Sequence, residues 1–294
     1  MNLRIITFLR NEGNIGQRLQ AFALQQFLWK FFNEKALIYD VRNSIELRTK
    51  SNYKKIIFDF DKNLWTKRIN SLEDIKNDNV DYFILGSDQI FNPVLYCNDN
   101  IIRDYYTLPF IDINKKVPYA SSSILLLSRN ICTKSISFRE EIRKNELNDF
   151  CYKSTNNNIN RNIDPVLLFD KEFYLKYSTF NKKVLFSDYN NLYYNQLDNK
   201  EQIENLLYML NMCNGVIYTQ SYHMFILSIL FNKRIDLNFK NLGKDKRVTN
   251  LIEFLNIEYT NDFVIQNYPQ VMSRIKQERK NTEKYFMENL YGIR

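Results

Sequence analysis

A single histidine, His223, stands two residues after Ser221 in the run Thr219-Gln220-Ser221-Tyr222-His223. Serine is a favoured N-cap, so the imidazole falls in the first turn of a helix, where free backbone N–H groups carry partial positive charge. That end of a helix disfavours imidazolium, and an anion bound beside it would restore the proton. A histidine so coupled to its ligand suits a general acid. A buried helix-start histidine satisfied by hydrogen bonds is the other reading of the same position. Arg139, in Ser137-Phe138-Arg139-Glu140, offers a planar fork that holds two oxygens of a phosphate or carboxylate, or else pairs with Glu140 or Glu141. Asp88 can accept a proton from a hydroxyl, or cap the segment after it. Asn14, Gly16 and Arg18 lie where a strand gives way to a helix, which favours an anion; the same glycine suits a tight turn in close packing.

Other chemistries are absent from the pattern. Gly13 and Gly16 do not fit G-x-G-x-x-G, and nothing resembles a Walker A loop. Cys97, Cys132, Cys151 and Cys213 form no C-x-x-C pair, and with one histidine no local spacing assembles a metal set, so an enzyme without metal or cofactor is expected. The net charge of +8 implies attraction to anions. The densest basic stretch, Arg274, Lys276, Arg279, Lys280 and Lys284, is interleaved with Glu278 and Glu283 and reads as a solvated helix face. No apolar run reaches the ~18 residues of a membrane span, and the apolar patch in Met1 to Arg10 is too short for a signal peptide. A cytoplasmic protein is expected.

The elements that must position these residues alternate strand and helix. A hydrophobic fraction of 45% supports a folded chain, and 294 residues suit two lobes. Strands are expected at Leu3 to Phe8, Leu37 to Tyr39, Tyr82 to Leu85, Val117 to Ser121 and Ser135 to Phe138. A helix should follow the first strand from about Gln17 to Phe32; Arg42 to Asn79 resists assignment; Arg139 and Glu140 should open a charged helix. Asn162 to Phe169 reads as extended and leaves the first lobe, with a boundary between Phe169 and Asn181. The second lobe should hold strands Lys183 to Ser187, Gly215 to Thr219 and Ile235 to Phe239, and helices Glu201 to Asn211, Ser221 to Phe231 and Thr249 to Leu255. The amphipathic helix Tyr268 to Leu290 ends the chain. This is an α/β fold of mainly parallel sheets. The polar clusters Asn11 to Gly16, Gly86 to Gln89, Ser121 to Ser123, Arg139 to Glu140 and Gln220 to His223 each follow a strand, where such sheets bind ligands.

Six short motifs, in order, resemble the polysaccharide pyruvyl transferase family over most of the chain. They are Asn14-Ile15-Gly16-Gln17-Arg18-Leu19-Gln20, Gly86-Ser87-Asp88-Gln89-Ile90-Phe91-Asn92, Tyr119-Ala120-Ser121, Ser137-Phe138-Arg139-Glu140, Asp164-Pro165-Val166-Leu167-Leu168 and Thr219-Gln220-Ser221-Tyr222-His223. The resemblance implies two Rossmann-like lobes facing across a cleft, as in GT-B glycosyltransferases. Residues 1–170 would form the acceptor side and 171–270 the donor side, with the C-terminal helix 271–294 packing back on the first lobe. It implies transfer of a pyruvyl group from phosphoenolpyruvate, as donor substrate, to two hydroxyls of a saccharide in cell-surface polysaccharide biosynthesis. His223 would supply the proton, Arg139 would clamp the donor, and Asp88 would orient or deprotonate the acceptor. Asn14, Gly16, Arg18, Gln89, Ser121, Ser221, Tyr222 and Arg247 would line the substrates. A lipid-linked acceptor would bring the basic surface to the inner membrane face, and nucleic acid is not an expected partner. A GT-B glycosyltransferase using a nucleotide sugar, and a non-catalytic carbohydrate-binding relative, are the alternatives. Gln220 and Met224 depart from the family pattern, Met224 replacing a glycine and expected to narrow the space beside the ring.

Overall fold

In the computed structural model, which describes residues 1–8, 15–40, 65–92, 99–122, 131–141, 153–155, 159–178, 192–194 and 203–293, chain order alternates β and α as the hydrophobic pattern requires. Five strands, β1 (Leu3–Ile6), β2 (Ala36–Asp40), β3 (Trp65–Arg68), β4 (Tyr82–Leu85) and β5 (Lys116–Pro118), form one parallel sheet in the order β3-β2-β1-β4-β5. The central pairings align Leu3 with Ala36 on one side and with Tyr82 on the other. Side chains alternate across a sheet, and here both faces are apolar. Leu3, Ile5, Ile38 and Ile84 enter one core, while Ile6, Tyr39, Phe83 and Leu85 enter the other. Burial on both faces explains why β4, Tyr82–Leu85, reads as a continuous apolar run.

α1 (Ile15–Phe32) covers the first core; α2 (Leu72–Lys76) and α3 (Asn100–Thr107) belong to the other side of the sheet. The stretch that resisted assignment thus contains β3 and α2, and α2 opens on a capping box between Ser71 and Asp74. Two short parallel ladders follow, β6 (Cys132–Thr133) with β8 (Lys153–Ser154) and β7 (Ile136–Phe138) with β9 (Ile159–Arg161). After α4 (Lys171–Leu175), a second parallel sheet joins β10 (Leu192–Tyr194), β11 (Val216–Thr219) and β12 (Arg234–Ile235), with α5 (Ile203–Met212), α6 (Tyr222–Leu230) and α7 (Lys246–Leu255). α1, α5, α6 and α7 contribute to one apolar core, so the helices of both sheets meet in it. Every residue of α6 is buried.

α8 (Tyr268–Phe286) returns to the first sheet. Thr282 reaches the Tyr119 hydroxyl at 3.4 Å, Tyr285 bonds the Ser135 hydroxyl at 2.7 Å, and the Phe286 ring stacks 5.0 Å from that of Tyr119. On its basic face, Arg274 pairs with Glu278 at 3.1 Å, while Arg279 leaves the solvated face to hold the Leu167 carbonyl and Asp170. Among the described residues, no helix is long and apolar enough to cross a membrane.

Five local expectations are corrected. Strand β5 ends at Pro118, and Ser121 joins the sheet region only through isolated bridges to Asp88 and Phe138. Arg139 and Glu140 form a bend, where Arg139 N–H is taken by the Ser121 carbonyl, and the residues after 141 lie outside the described ones. Pro165–Leu168 is a 3₁₀ turn, because the Asp164 carboxylate accepts the Val166 N–H and proline suits the first position. β12 stops at Ile235 because the Asp236 side chain captures the N–H groups of Asn238 and Phe239, opening a 3₁₀ turn. The α8 helix itself ends at Phe286 and passes into a π turn. The expected strand Lys183 to Ser187 lies outside the described residues.

Candidate active site

The polar loops after the strands are brought together by close backbone approaches. Gly86 follows β4 with φ +138°, and a β-carbon there would fall 2.0 Å from the Tyr119 carbonyl oxygen, so only glycine fits. Asp88, also at positive φ, is linked by its carbonyl to the Ser122 N–H at 2.9 Å. Ser121 is fully buried; its hydroxyl donates to the Leu85 carbonyl at 3.3 Å and its own carbonyl accepts from Arg139 N–H at 3.1 Å. Ser121 therefore joins the β4 loop to the end of β7.

Arg139 is the hub. Its guanidinium, only 2% exposed at the side chain, donates to Asp164 Oδ2 at 2.8 Å and Glu140 Oε1 at 3.1 Å, and stands 3.5 Å from Asp88 Oδ1. Of the two possibilities for this residue, the pairing with Glu140 is the one the structure contains, and Asp164 and Asp88 complete an anionic ring around the fork. Glu140 is fixed in turn by the Ser122 hydroxyl at 2.9 Å. The Arg139 guanidinium also lies over the Tyr222 ring at 4.8 Å, and that of Arg247 over the same ring at 5.1 Å, which are cation–π distances. Arg247 is held from α7 by the N-cap carboxylate of Asp245, with Nη2 and Oδ2 2.6 Å apart.

His223 enters from the start of α6. Ser221 is the N-cap, with φ −88° and ψ 122°, its hydroxyl accepting the Met224 N–H at 3.5 Å. The imidazole side chain is 9% exposed, and its buried Nε2 has no hydrogen-bond partner in the structure. Asp164 Oδ2 stands 3.7 Å from Nε2, too far for a hydrogen bond but close for a charge. Burial lowers the imidazole pKa below its ordinary value; Asp164 and Asp88 oppose that, while Arg139 and Arg247 add to it. From α1, Gly16 lies against the ring: a β-carbon on it would be 2.1 Å from Nδ1. Met224 is turned into the apolar core.

The structure therefore brings Gly16, Asp88, Arg139, Ser221, Tyr222, His223 and Arg247 to one place. Arg18, buried in the first turn of α1, lies over the Trp65 ring at 5.8 Å. Gln89 is engaged within its own loop, its amide oxygen accepting from Asn92 at 2.9 Å. Asn14 is outside the described residues. Asp164, whose role the sequence does not reveal, is central; its Asp-Pro pair is a visible motif, but the pairing with Arg139, 25 residues away, is a product of the β7 and β9 ladder.

A buried guanidinium ringed by three carboxylates thus stands beside an unpartnered imidazole at a helix start. The family model described as Polysaccharide pyruvyl transferase matches residues 14–235. No curated protein and no solved structure matches the chain.

Proposed function

Because the chain belongs to the polysaccharide pyruvyl transferase family, we propose that this site moves a pyruvyl group from phosphoenolpyruvate to two hydroxyls of a saccharide, as a ketal. The observation that carries this reading is the buried, unpartnered Nε2 of His223 beside Asp164 and two guanidinium groups. Burial favours a neutral ring in the free protein. A bound donor, anionic at carboxylate and phosphate, offsets Arg139 and Arg247 and restores the proton.

The chemistry then uses each group once. His223 gives its proton to the donor's methylene carbon, which becomes a methyl group, and the adjacent carbon gains oxocarbenium character. The first sugar hydroxyl adds to that carbon and releases its proton, to Asp88 or to the imidazole. Phosphate leaves, and the second hydroxyl closes the ring and releases a proton that departs with phosphate. Arg139 and Arg247 hold donor oxygens while charge redistributes, and the N–H groups at the start of α6 add to that field. The donor carries the transferred group itself, so the reaction draws on no cofactor. In this reading the first sheet belongs to the acceptor side and the second to the donor side, and the acceptor is a lipid-linked saccharide reached from the inner face of the plasma membrane.

The test is incubation with phosphoenolpyruvate and a panel of lipid-linked or synthetic glycosides, read by mass spectrometry for a ketal adduct. A thermal upshift with phosphoenolpyruvate and none with UDP or GDP sugars is expected. The reverse pattern would favour glycosyl transfer. No shift and no turnover with any donor would leave a carbohydrate-binding protein.

A further inference from the structure

Asp164 is held on three sides. Proline at 165 fixes the chain direction after it, Oδ1 accepts the Val166 N–H at 3.0 Å, and Oδ2 accepts Arg139 Nη1 at 2.8 Å. Its side chain is 0% exposed. The same Oδ2 stands 3.7 Å from the unpartnered Nε2 of His223. One carboxylate oxygen thus serves a guanidinium directly and faces an imidazole across a gap slightly longer than a hydrogen bond. A proton on Nε2 would find that oxygen; a proton on Nδ1 alone would leave a lone pair facing a carboxylate, which is repulsive.

The other groups around the ring do not offer the same contact. Asp88, on the loop after β4, is turned to Arg139 at 3.5 Å. Arg139 and Arg247 oppose the imidazolium, Tyr222 meets the ring edge-on at 5.5 Å, and α1 brings Gly16, which has no side chain. Asp164 is the carboxylate within ion-pair distance of His223 among the described residues.

Resting on the reading of His223 as the acid and of the donor as an anion at Arg139, we propose that Asp164 is the positioning residue that couples them. Its Oδ2 holds the ring in the Nε2–H form. When an anion engages the Arg139 guanidinium, the carboxylate is released from that cation and turns its charge on the imidazole, which then keeps a second proton.

Because the chain has one histidine, its ring resonances report His223 alone in an NMR titration. In the free wild-type protein, the ring nitrogen shifts should show the Nε2–H tautomer; predominance of Nδ1–H overturns the proposal without any variant. Asp164→Asn, checked for folding by circular dichroism, should lower the free-protein titration midpoint by about one pH unit or more, as loss of an opposite charge at this range does. Glu140→Gln removes a carboxylate from Arg139 but none facing His223, and should move the midpoint far less. Equal effects of the two variants, or none from Asp164→Asn, overturn the proposal. With phosphoenolpyruvate, the wild-type midpoint should rise and the Asp164→Asn midpoint should rise less than half as far. kcat should fall about 100-fold in that variant while KM changes little, a loss of the size expected for general acid catalysis. A wild-type midpoint indifferent to phosphoenolpyruvate would count against the donor, whereas the free-protein comparison decides the role of Asp164 independently.

Discussion

Gly16 at the start of α1 touches the His223 ring at the start of α6, and the contact leaves no room for a side chain: a β-carbon at residue 16 would lie 2.1 Å from Nδ1 and 2.3 Å from Cγ. Two helix starts, one from each sheet, therefore meet at the imidazole. The glycine is needed for this approach rather than for an unusual φ, since its φ lies outside the positive region.

Gly16→Ala should accordingly be a kinetic lesion more than a folding one. Alanine gains roughly 1 kcal/mol of helix propensity, while overpacking costs about 1–3 kcal/mol, so net destabilisation should stay below about 2 kcal/mol. The ring must move, and displacement of an acid by about 1 Å can cost about 100-fold in rate. Phosphate release and thermal unfolding measured on the same preparation separate the two effects. Unchanged turnover would mean that the ring position is irrelevant to the reaction.

His223 should also mark the stability curve. Its folded pKa is lowered, chiefly by burial, so between that value and the ordinary 6.5 the unfolded chain binds the proton and the folded chain does not. Stability is therefore complete above pH 6.5 and declines as pH falls through that window, by up to about 1.4 kcal/mol per pH unit. His223→Gln should remove this component, so the variant and wild type converge in stability as pH is lowered. Denaturant midpoints at several pH values test it; parallel curves would show that the folded imidazole titrates normally. The same variant should lose phosphate release by at least about 100-fold, the usual contribution of a general acid.

What the sequence made legible is periodicity and local capping. β4 falls on Tyr82–Leu85 as read, and α1, β11 and α6 differ from expectation by one or two residues, because β4, β11 and α6 are largely apolar runs between polar or small residues and α1 is rich in apolar residues throughout. Side-chain competition for backbone N–H groups was less visible: Asp164 and Asp236 turn segments that read as extended into 3₁₀ turns. At the site, His223 and Arg139 stand out by residue type. Their environment does not, because the partners Asp88 and Asp164 reach Arg139 across 51 and 25 residues of chain. Met224 was expected beside the ring, yet α6 is buried all round and its methionine belongs to the core.

Arg139 cannot be replaced by another cation. Its three nitrogens face three different carboxylates, Glu140, Asp164 and Asp88, and a lysine ammonium is a single point on a flexible stem. Arg139→Lys should keep part of the stability but lose donor binding and at least about 100-fold in turnover, since planar clamping of two oxygens is lost. Arg139→Met leaves the carboxylates buried without their cation and should cost about 3–5 kcal/mol, as breaking buried ion pairs does. Urea titrations of both variants decide this, and a methionine variant as stable as wild type would show that the carboxylates do not depend on the guanidinium.

Lys116 makes a final prediction away from the site. It is 1% exposed at the start of β5, and its ammonium donates to the Leu108 carbonyl at 3.0 Å, at the C-terminal end of α3. There the helix dipole is negative and the last carbonyls need donors. Among the described residues no carboxylate lies within ion-pair distance of it, and burial lowers its pKa. Between the lowered value and the ordinary 10.5, the unfolded chain holds the proton more firmly, so this residue's contribution to stability rises with pH there. Lys116→Met keeps the stem's packing and removes the buried charge, so at neutral pH it should change stability by less than about 2 kcal/mol. Lys116→Ala leaves both a cavity and an unpaired carbonyl and should cost about 3–5 kcal/mol. Raising the pH toward 10.5 should favour wild type over the methionine variant. A constant difference between them would mean that the buried ammonium keeps an ordinary proton affinity, with the α3 carbonyls fully compensating its loss of water.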